Sequence, residues 1–375
     1  MTELRAFCRA ARALQEHQEP AWIATVVRVR GSAFRQPGAR MLFTTGRVVC
    51  GSISGGCLEN DLVRRGPWLC ESRPTLLNYD ARTEEEDGER VGTGCDGAID
   101  VLVERLDLRL LAFLEQCLAR GQRGVVITIT RAQQPTLSVG ARVLVAADGS
   151  NDDERSLLAS VLGQTVKDAF ESGRSQYVEW SPGNEALIEV LEPPPNLFVF
   201  GAGPDAFALV RLAQGLGFDV SVCSAAPRAT LQERFASCPD VEFVAPADVG
   251  AKIVSCSAAL GVVMTHSFQN DREALAILLT SKATYIGVLG PARRCARLLS
   301  EIDPSVRTPA VLRRVHGPAG LHLGGSSPAE VALSILSEAQ AVLNAASGVS
   351  LRDRKQPIHS RITESRPHLR LAEAT

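Results

Sequence analysis

The sequence predicts an α/β protein in two parts, a mixed α+β domain built as a degenerate duplication and then a doubly wound parallel sheet. At 375 residues the chain exceeds one ordinary hydrophobic core and is expected to divide. Its first half runs twice through a helix, a strand, a glycine turn and a strand, and its second half alternates short apolar strands with helical stretches. Pro193, Pro194 and Pro195 fit neither a central strand nor a helix interior, so they mark the division. The expected bounds are 1–192 for the first domain, 193–346 for the second and 347–375 for a mobile polar tail.

Composition narrows the function classes. Hydrophobic residues make up 45% and charged residues 22%, the balance of a folded chain. Forty Lys and Arg against 42 Asp and Glu leave a formal charge of -2, which offers no field for nucleic acid or anionic lipid. The N-terminal stretch is broken by Glu3, Arg5, Arg9 and Arg12, unlike a signal peptide, and no apolar run approaches the roughly 20 residues of a membrane helix. A cytoplasmic protein without nucleic-acid or membrane partners is expected. Ten cysteines occur without a CxxC pair, so most are expected to be buried thiols.

In the first half, residues 3–17 read as a helix and Ile23, Thr25, Val27 and Val29 as an alternating strand. A turn-rich loop over 31–38 leads to the strand Arg40–Thr44, which folds back through Gly46 as a hairpin. The order returns from Leu106, with a helix to Arg120, a strand at 125–130 and another from Arg142. Gly38 to Leu42 matches Gly140 to Leu144, and Ala98 to Leu102 is matched to Ala186 to Val190. The second copy has no counterpart of the glycine- and cysteine-bearing segments, which assigns scaffold to it and chemistry to the first.

Those segments hold the candidate site. Gly55, Gly56 and Cys57 stand where a glycine loop becomes a helix, a position where the dipole and free amides push a thiol toward thiolate. Gly94 and Cys95 lie in a second such loop, Gly92 to Gly97. Two backbone nests, each with one thiolate, could clasp an anionic ligand or a soft metal; a turn and a glycine-rich hairpin are the plainer readings. In the second half, Gly201, Gly203 and Ala206 form GxGxxA between a strand and a helix, the context in which the pattern binds a phosphate-bearing ligand. Cys223 or Ser224 stands where an NAD site needs a carboxylate, with Arg228 just beyond. His266 follows an apolar strand, where it could orient a ligand or move a proton.

These phrases, with Thr265, Asp271, Tyr285 to Gly290, His316 to Leu321 and the run from Pro328 to Ser334, resemble the XdhC/CoxI family of xanthine dehydrogenase accessory proteins over residues 3–345. The resemblance implies a Rossmann-like second domain and a chaperone that binds molybdenum cofactor, protects it during sulfuration and delivers it to a xanthine dehydrogenase-type molybdoenzyme. It implies Cys57 and Cys95 as metal ligands, since molybdenum in a dithiolene centre accepts thiolate. Gly55, Gly56, Gly94, Arg35, Arg40, Gly201, Gly203 and His266 complete the expected cofactor-binding set. A cysteine desulfurase as a further partner and a homodimer as the assembly belong to the same expectation. Ser224 and Ala226 depart from the family's acid-then-arginine pattern, and His322 stands where an aspartate is common, which weakens any nucleotide site. The competing reading is an NAD(P)-dependent oxidoreductase using the Gly201 loop, with His266 as proton donor.

Overall fold

The computed structural model describes residues 2–31, 33–56, 58–71, 73–80, 97–134, 137–150, 161–353 and 363–365. Cys57, Gly94 and Cys95 fall outside them. The fold is the mixed α/β architecture expected, with antiparallel sheets in the first half and a parallel sheet in the second. Contacts divide the chain between Pro193 and Pro194 into two compact units.

The first unit opens with α1 (Thr2–Glu16), β1 (Trp22–Gly31), the hairpin β2 (Arg40–Thr44) and β3 (Arg47–Gly51), α2 (Glu59–Leu69), β4 (Thr75–Asp80) and β5 (Gly97–Arg105). It continues with α3 (Leu108–Arg120), β6 (Gly124–Arg131), β7 (Arg142–Val145), α4 (Gly163–Ser172), β8 (Gln176–Ser181) and β9 (Asn184–Leu191). One sheet runs β3-β2-β1-β5-β4. The other contains β8-β9-β6-β7, the same arrangement of copies as β4-β5-β1-β2.

The duplication extends to single hydrogen bonds. In the first copy Thr25 faces Arg40 and Leu102, and the register of β1 on β5 slips between Val26 and Arg28. In the second, Thr128 faces Arg142 and Leu187, and β6 slips on β9 between Ile129 and Arg131. Beside the slip, Val26 exchanges bonds with Gly38 and Ala39 at 2.8 and 2.9 Å, as Ile129 does with Gly140 and Ala141 at 2.9 Å each. Gly38 and Gly140 both take positive φ, 93° and 86°, the region that favours glycine. The helices repeat as well. Phe7, Cys8, Ala11 and Leu14 of α1 and Leu110, Leu111, Leu114 and Cys117 of α3 occupy corresponding positions, and all enter one core with Ile23, Leu42, Val126 and Leu144.

This register corrects one equivalence. Leu102 corresponds to Leu187, so β5 and β9 match three residues away from the pairing of Ala98 to Leu102 with Ala186 to Val190. The cause is burial on both faces: every residue of β5 except Arg105 is buried, so no polar alternation marks its register in the sequence.

Two ion pairs lock the copies together. Arg40 donates to Glu189 at 2.8 Å, and Arg142 donates to Glu104 at 2.7 Å, all four side chains 7% exposed or less. The register makes Arg40 the counterpart of Arg142, and Glu104 that of Glu189. Each arginine therefore reaches the other copy's glutamate, as a local two-fold axis requires. Arg12 and Glu115, corresponding positions on α1 and α3, pair at 3.1 Å.

The second unit holds six parallel strands, β10 (Asn196–Phe200), β11 (Asp219–Cys223), β12 (Glu242–Val244), β13 (Ala259–Val263), β14 (Tyr285–Val288) and β15 (Val315–His316). Their order is β12-β11-β10-β13-β14-β15. Helices α5 (Pro204–Gly215), α6 (Arg228–Arg234), α7 (Val249–Val254), α8 (Phe268–Thr280), α9 (Ala292–Ser300), α10 (Pro309–Leu312) and α11 (Pro328–Leu343) alternate with the strands. Residues of α5, α6 and α11 line one core, while α7, α8 and α9 line the core of the opposite face. Both faces of the central strands are thereby covered, which is why Leu197–Phe200 and Ala259–Val263 are wholly apolar or glycine. The strand order reverses between β10 and β13, so their C-terminal ends open a crevice of the kind that binds ligands in such sheets.

Among the described residues of the tail, Thr363–Ser365 lies parallel to Gln176–Val178 as a further strand, β16, on the edge of the β8 sheet. Among the described residues no helix is long and apolar enough to cross a membrane.

Removing one partner of a buried pair strands the other charge, whereas replacing both with apolar residues does not. Arg142→Ala is therefore expected to cost about 3 to 5 kcal/mol in urea unfolding. Arg142→Met with Glu104→Leu should recover most of that loss, and two equal losses would remove the ion-pair account.

Candidate functional site

Two loops among the described residues carry glycines singled out in the sequence, one in each unit. In the first unit, the loop from Ser52 to Leu58 leads into α2 and winds around a single side chain, Glu59. One carboxylate oxygen of Glu59 accepts from Ser52 Oγ at 2.9 Å, Ile53 N at 3.1 Å and Ser54 N at 2.9 Å. The other accepts from Leu58 N at 3.2 Å and from the Ser54 hydroxyl. Ser54 Oγ in turn accepts from Gly56 N and Leu58 N, each at 3.2 Å.

Glu59 is 7% exposed. Burial on its own would raise its pKa, but the bonds from Ser54 and Ser52 outweigh burial and hold it at about 2. The internal carboxylate thus caps α2, whose Leu58 N-cap supplies no side-chain bond. The amides of Ile53, Ser54 and Leu58, on either side of residue 57, already serve Glu59. Gly56 takes a φ of 114°, the region that favours glycine, whereas an added Cβ at Gly55 would meet nothing within 4 Å.

The arginines expected at this site hold carboxylates. Arg35 pairs with Glu3 at 2.9 Å, and its guanidinium lies 5.6 Å from the ring centre of Phe34, which is 65% exposed. The fork of Arg40 is committed to Glu189 at 7% exposure. Burial pushes the thiols of Cys8, Cys70 and Cys117 up to about 11, as expected of structural cysteines. Among the described residues no three His, Cys, Asp or Glu side chains cluster as a metal site.

In the second unit the crevice is lined by the turns after β10 and β13. Gly201 has a φ of 133°, and a Cβ there would meet the Met264 carbonyl oxygen at 2.6 Å, so close packing of the two turns itself demands glycine. Gly203 is the N-cap of α5, with the nearest atom to an added Cβ being His266 Nε2 at 4.0 Å. Pro204 at the first helical position supplies no N–H, and Asp205 places a carboxylate in the first turn. His266 Nε2 stands 3.6 Å from Asp205 Oδ2.

The turn that carries His266 is anchored from below. Asp271 is 1% exposed and accepts from Thr265 N at 2.9 Å, Thr265 Oγ1 at 2.6 Å and Arg294 at 2.5 Å. His266 itself sits at a φ of 62°, a conformation disfavoured for a side-chain-bearing residue. At the end of β11, Ser224 Oγ accepts from Ala226 N at 3.2 Å, and Cys223 is a buried thiol whose pKa burial raises.

Against this geometry, residues 14–80 match the profile of the XdhC and CoxI family and residues 197–339 that of the XdhC Rossmann domain. A Bacillus subtilis protein, named as a probable subunit of xanthine dehydrogenase, is 30% identical over 331 residues, which cover 87% of this chain and 94% of that one. The chain belongs to the XdhC and CoxI family. The crystal structure of a Bacillus halodurans xanthine dehydrogenase matches this XdhC-type chain with a TM-score of 0.69 and 28% identity, over 92% of this chain and 98% of that one. The Escherichia coli protein YqeB, described as uncharacterized, is 28% identical over 163 residues, 43% of this chain and 30% of its own.

Three anchors in this XdhC-type fold went unassigned in the sequence: Glu59, Asp271 with Arg294, and Glu338. Glu338 accepts from Tyr285 Oη at 2.7 Å and from Gly320 N at 2.8 Å, and lies 3.2 Å from His316 Nδ1. Only Glu59 had a local signal, an acid in the first turn of a helix after two serines, the pattern of a side chain that caps backward.

Because the folded pKa of Glu59 lies below its ordinary value near 4.5, its contribution is complete above that value and fades as pH falls toward about 2. Acid-titrated unfolding should show Glu59→Gln less stable than wild type at neutral pH, on the order of 2 to 3 kcal/mol. The gap should narrow through that window; a gap independent of pH would remove the charge-based account.

Proposed function

We propose that this chain is an accessory protein for a xanthine dehydrogenase-type molybdoenzyme, which holds molybdenum cofactor as cargo, shields it during sulfuration and delivers it to the apo-enzyme. The observation that carries this reading is the asymmetry of the duplicated unit. Both copies keep the same strand order, register slip and exchanged ion pair, so the scaffold needs nothing more. In the second copy β8 and β9 are joined by Pro182 and Gly183 alone, whereas β4 and β5 are separated by residues 81–96, which lie outside the described residues and include Gly94 and Cys95. Among the described residues the first copy also has the loop around Glu59. Added segments rich in glycine and cysteine are a cost to a scaffold and a resource for a carrier.

In this reading Cys57 and Cys95 offer the soft sulfur donors that a molybdenum–dithiolene centre accepts. Among the described thiols, Cys8, Cys70 and Cys117 are poor substitutes, since burial raises their pKa to about 11. The relative named for xanthine dehydrogenase supports the choice of client. A cysteine desulfurase as sulfur donor, a homodimer and a cytoplasmic setting complete the proposal. The decisive measurement is cofactor retention through purification. Cys57→Ala and Cys95→Ala should each lower bound molybdenum by about tenfold or more. Retention equal to wild type in both variants would exclude the assigned ligands.

A second reading, an NAD(P)-dependent oxidoreductase, is favoured by the glycine turn at the strand-order reversal, with His266 over Gly203 as proton donor. Pro204, Asp205 and Ser224 weigh against it, since they remove an amide donor, set a carboxylate where a pyrophosphate would lie, and leave the ribose without its acid. Calorimetric titration with NAD and with NADP is expected to be silent for both; saturable binding of either would favour the oxidoreductase.

A further inference from the structure

We propose that Glu59 is the positioning residue of the Cys57 loop: its buried carboxylate gathers Ser52, Ile53, Ser54 and Leu58, fixes the backbone on both sides of residue 57 and thereby sets how that thiol meets cargo. This deepens the proposed function and rests on its reading of Cys57 as a cargo ligand.

The carboxylate has about four lone-pair directions and receives bonds from two hydroxyls and three amides, so no strong site remains for a ligand of its own. Glu59 therefore acts through the loop and not on cargo. Its grip spans the cysteine. Ser52, Ile53 and Ser54 precede residue 57, and Leu58 follows it. Ser54 tightens the same span, because its hydroxyl donates to Glu59 while accepting from the amides of residues 56 and 58, the two chain neighbours of Cys57.

The amides of Ile53, Ser54 and Leu58 serve this internal carboxylate and are withheld from a phosphate. By holding Ser52, Ile53, Ser54 and Leu58, Glu59 limits opening of the bend on either side of residue 57.

The test uses the full chain without cofactor, following alkylation of each cysteine by mass spectrometry at fixed pH. Glu59→Gln, nearly equal in size, turns an amide NH2 toward donors and removes the charge. It should speed modification of Cys57 several-fold while Cys8, Cys70 and Cys117 stay protected, and Glu59→Asp should return part of the way. In parallel, molybdenum retained by Glu59→Gln should fall by about tenfold or more. Wild-type values for both the Cys57 rate and retention would overturn the proposal. Should Glu59→Gln expose the buried thiols and so prove misfolded, Ser54→Ala decides, since it keeps the carboxylate and cuts the tie across residue 57: a faster Cys57 supports the role, and an unchanged rate overturns it. Loss of retention in Cys57→Ala but not in Glu59→Gln would defeat the positioning role alone, whereas retention in Cys57→Ala would defeat the carrier reading and leave the alkylation result to stand or fall separately.

Discussion

Two guanidinium–carboxylate pairs, Arg40 with Glu189 and Arg142 with Glu104, constrain everything else in the first unit. Each is shut away from water, where an unpaired charge is far more costly than a missing methyl group. Because each pair takes its arginine from one copy and its glutamate from the other, neither copy can satisfy its own charges alone. Apolar burial around Ile23, Leu42, Val126 and Leu144 supplies the non-directional attraction, and the crossed forks supply the register. A local two-fold arrangement with little freedom to slide follows from the two together.

On that frame the molecule uses carboxylates to hold loops. Glu59 draws in a bend before α2, Asp271 fixes the turn that displays His266, and Glu338 ties the hydroxyl of Tyr285 to the amide of Gly320. In each case an acid accepts from backbone and side chain at once, which costs less than burying an unbonded amide. The device sets glycine-rich segments in one shape although glycine itself resists ordering. It also explains why the helix starts at Glu59 and Pro204 are poor general anion sites: carboxylates from within the chain already answer their positive ends.

Much of this was legible in the sequence. The wholly apolar strands Leu197–Phe200 and Ala259–Val263 and the glycine turn between strand and helix announce a covered parallel sheet, and Gly38–Leu42 with Gly140–Leu144 announces the repeat. The match of β5 to β9 went astray by three residues because burial on both faces removes the alternation that register is read from. Edge strands as short as Val315–His316 carry too few residues to show a pattern, and a strand pairing such as that of Thr363–Ser365 is decided by an edge far earlier in the chain. What fills the bend before α2 was hidden. A glutamate at the start of a helix looks like ordinary dipole compensation, and only coordinates reveal that its carboxylate has turned back on five donors. The cross-copy destinations of Arg40 and Arg142 were equally out of reach, since no local rule links residues 149 or 38 positions apart except through the dyad.

The plain hairpin of the second copy, closed by Pro182 and Gly183, has a practical meaning. Within one polypeptide the second copy thus repeats the β4–β5 pairing without the segment inserted between those strands. Any substitution can be made at twin positions, one in each half, and the difference between the two effects subtracts the shared burden of keeping the chain folded.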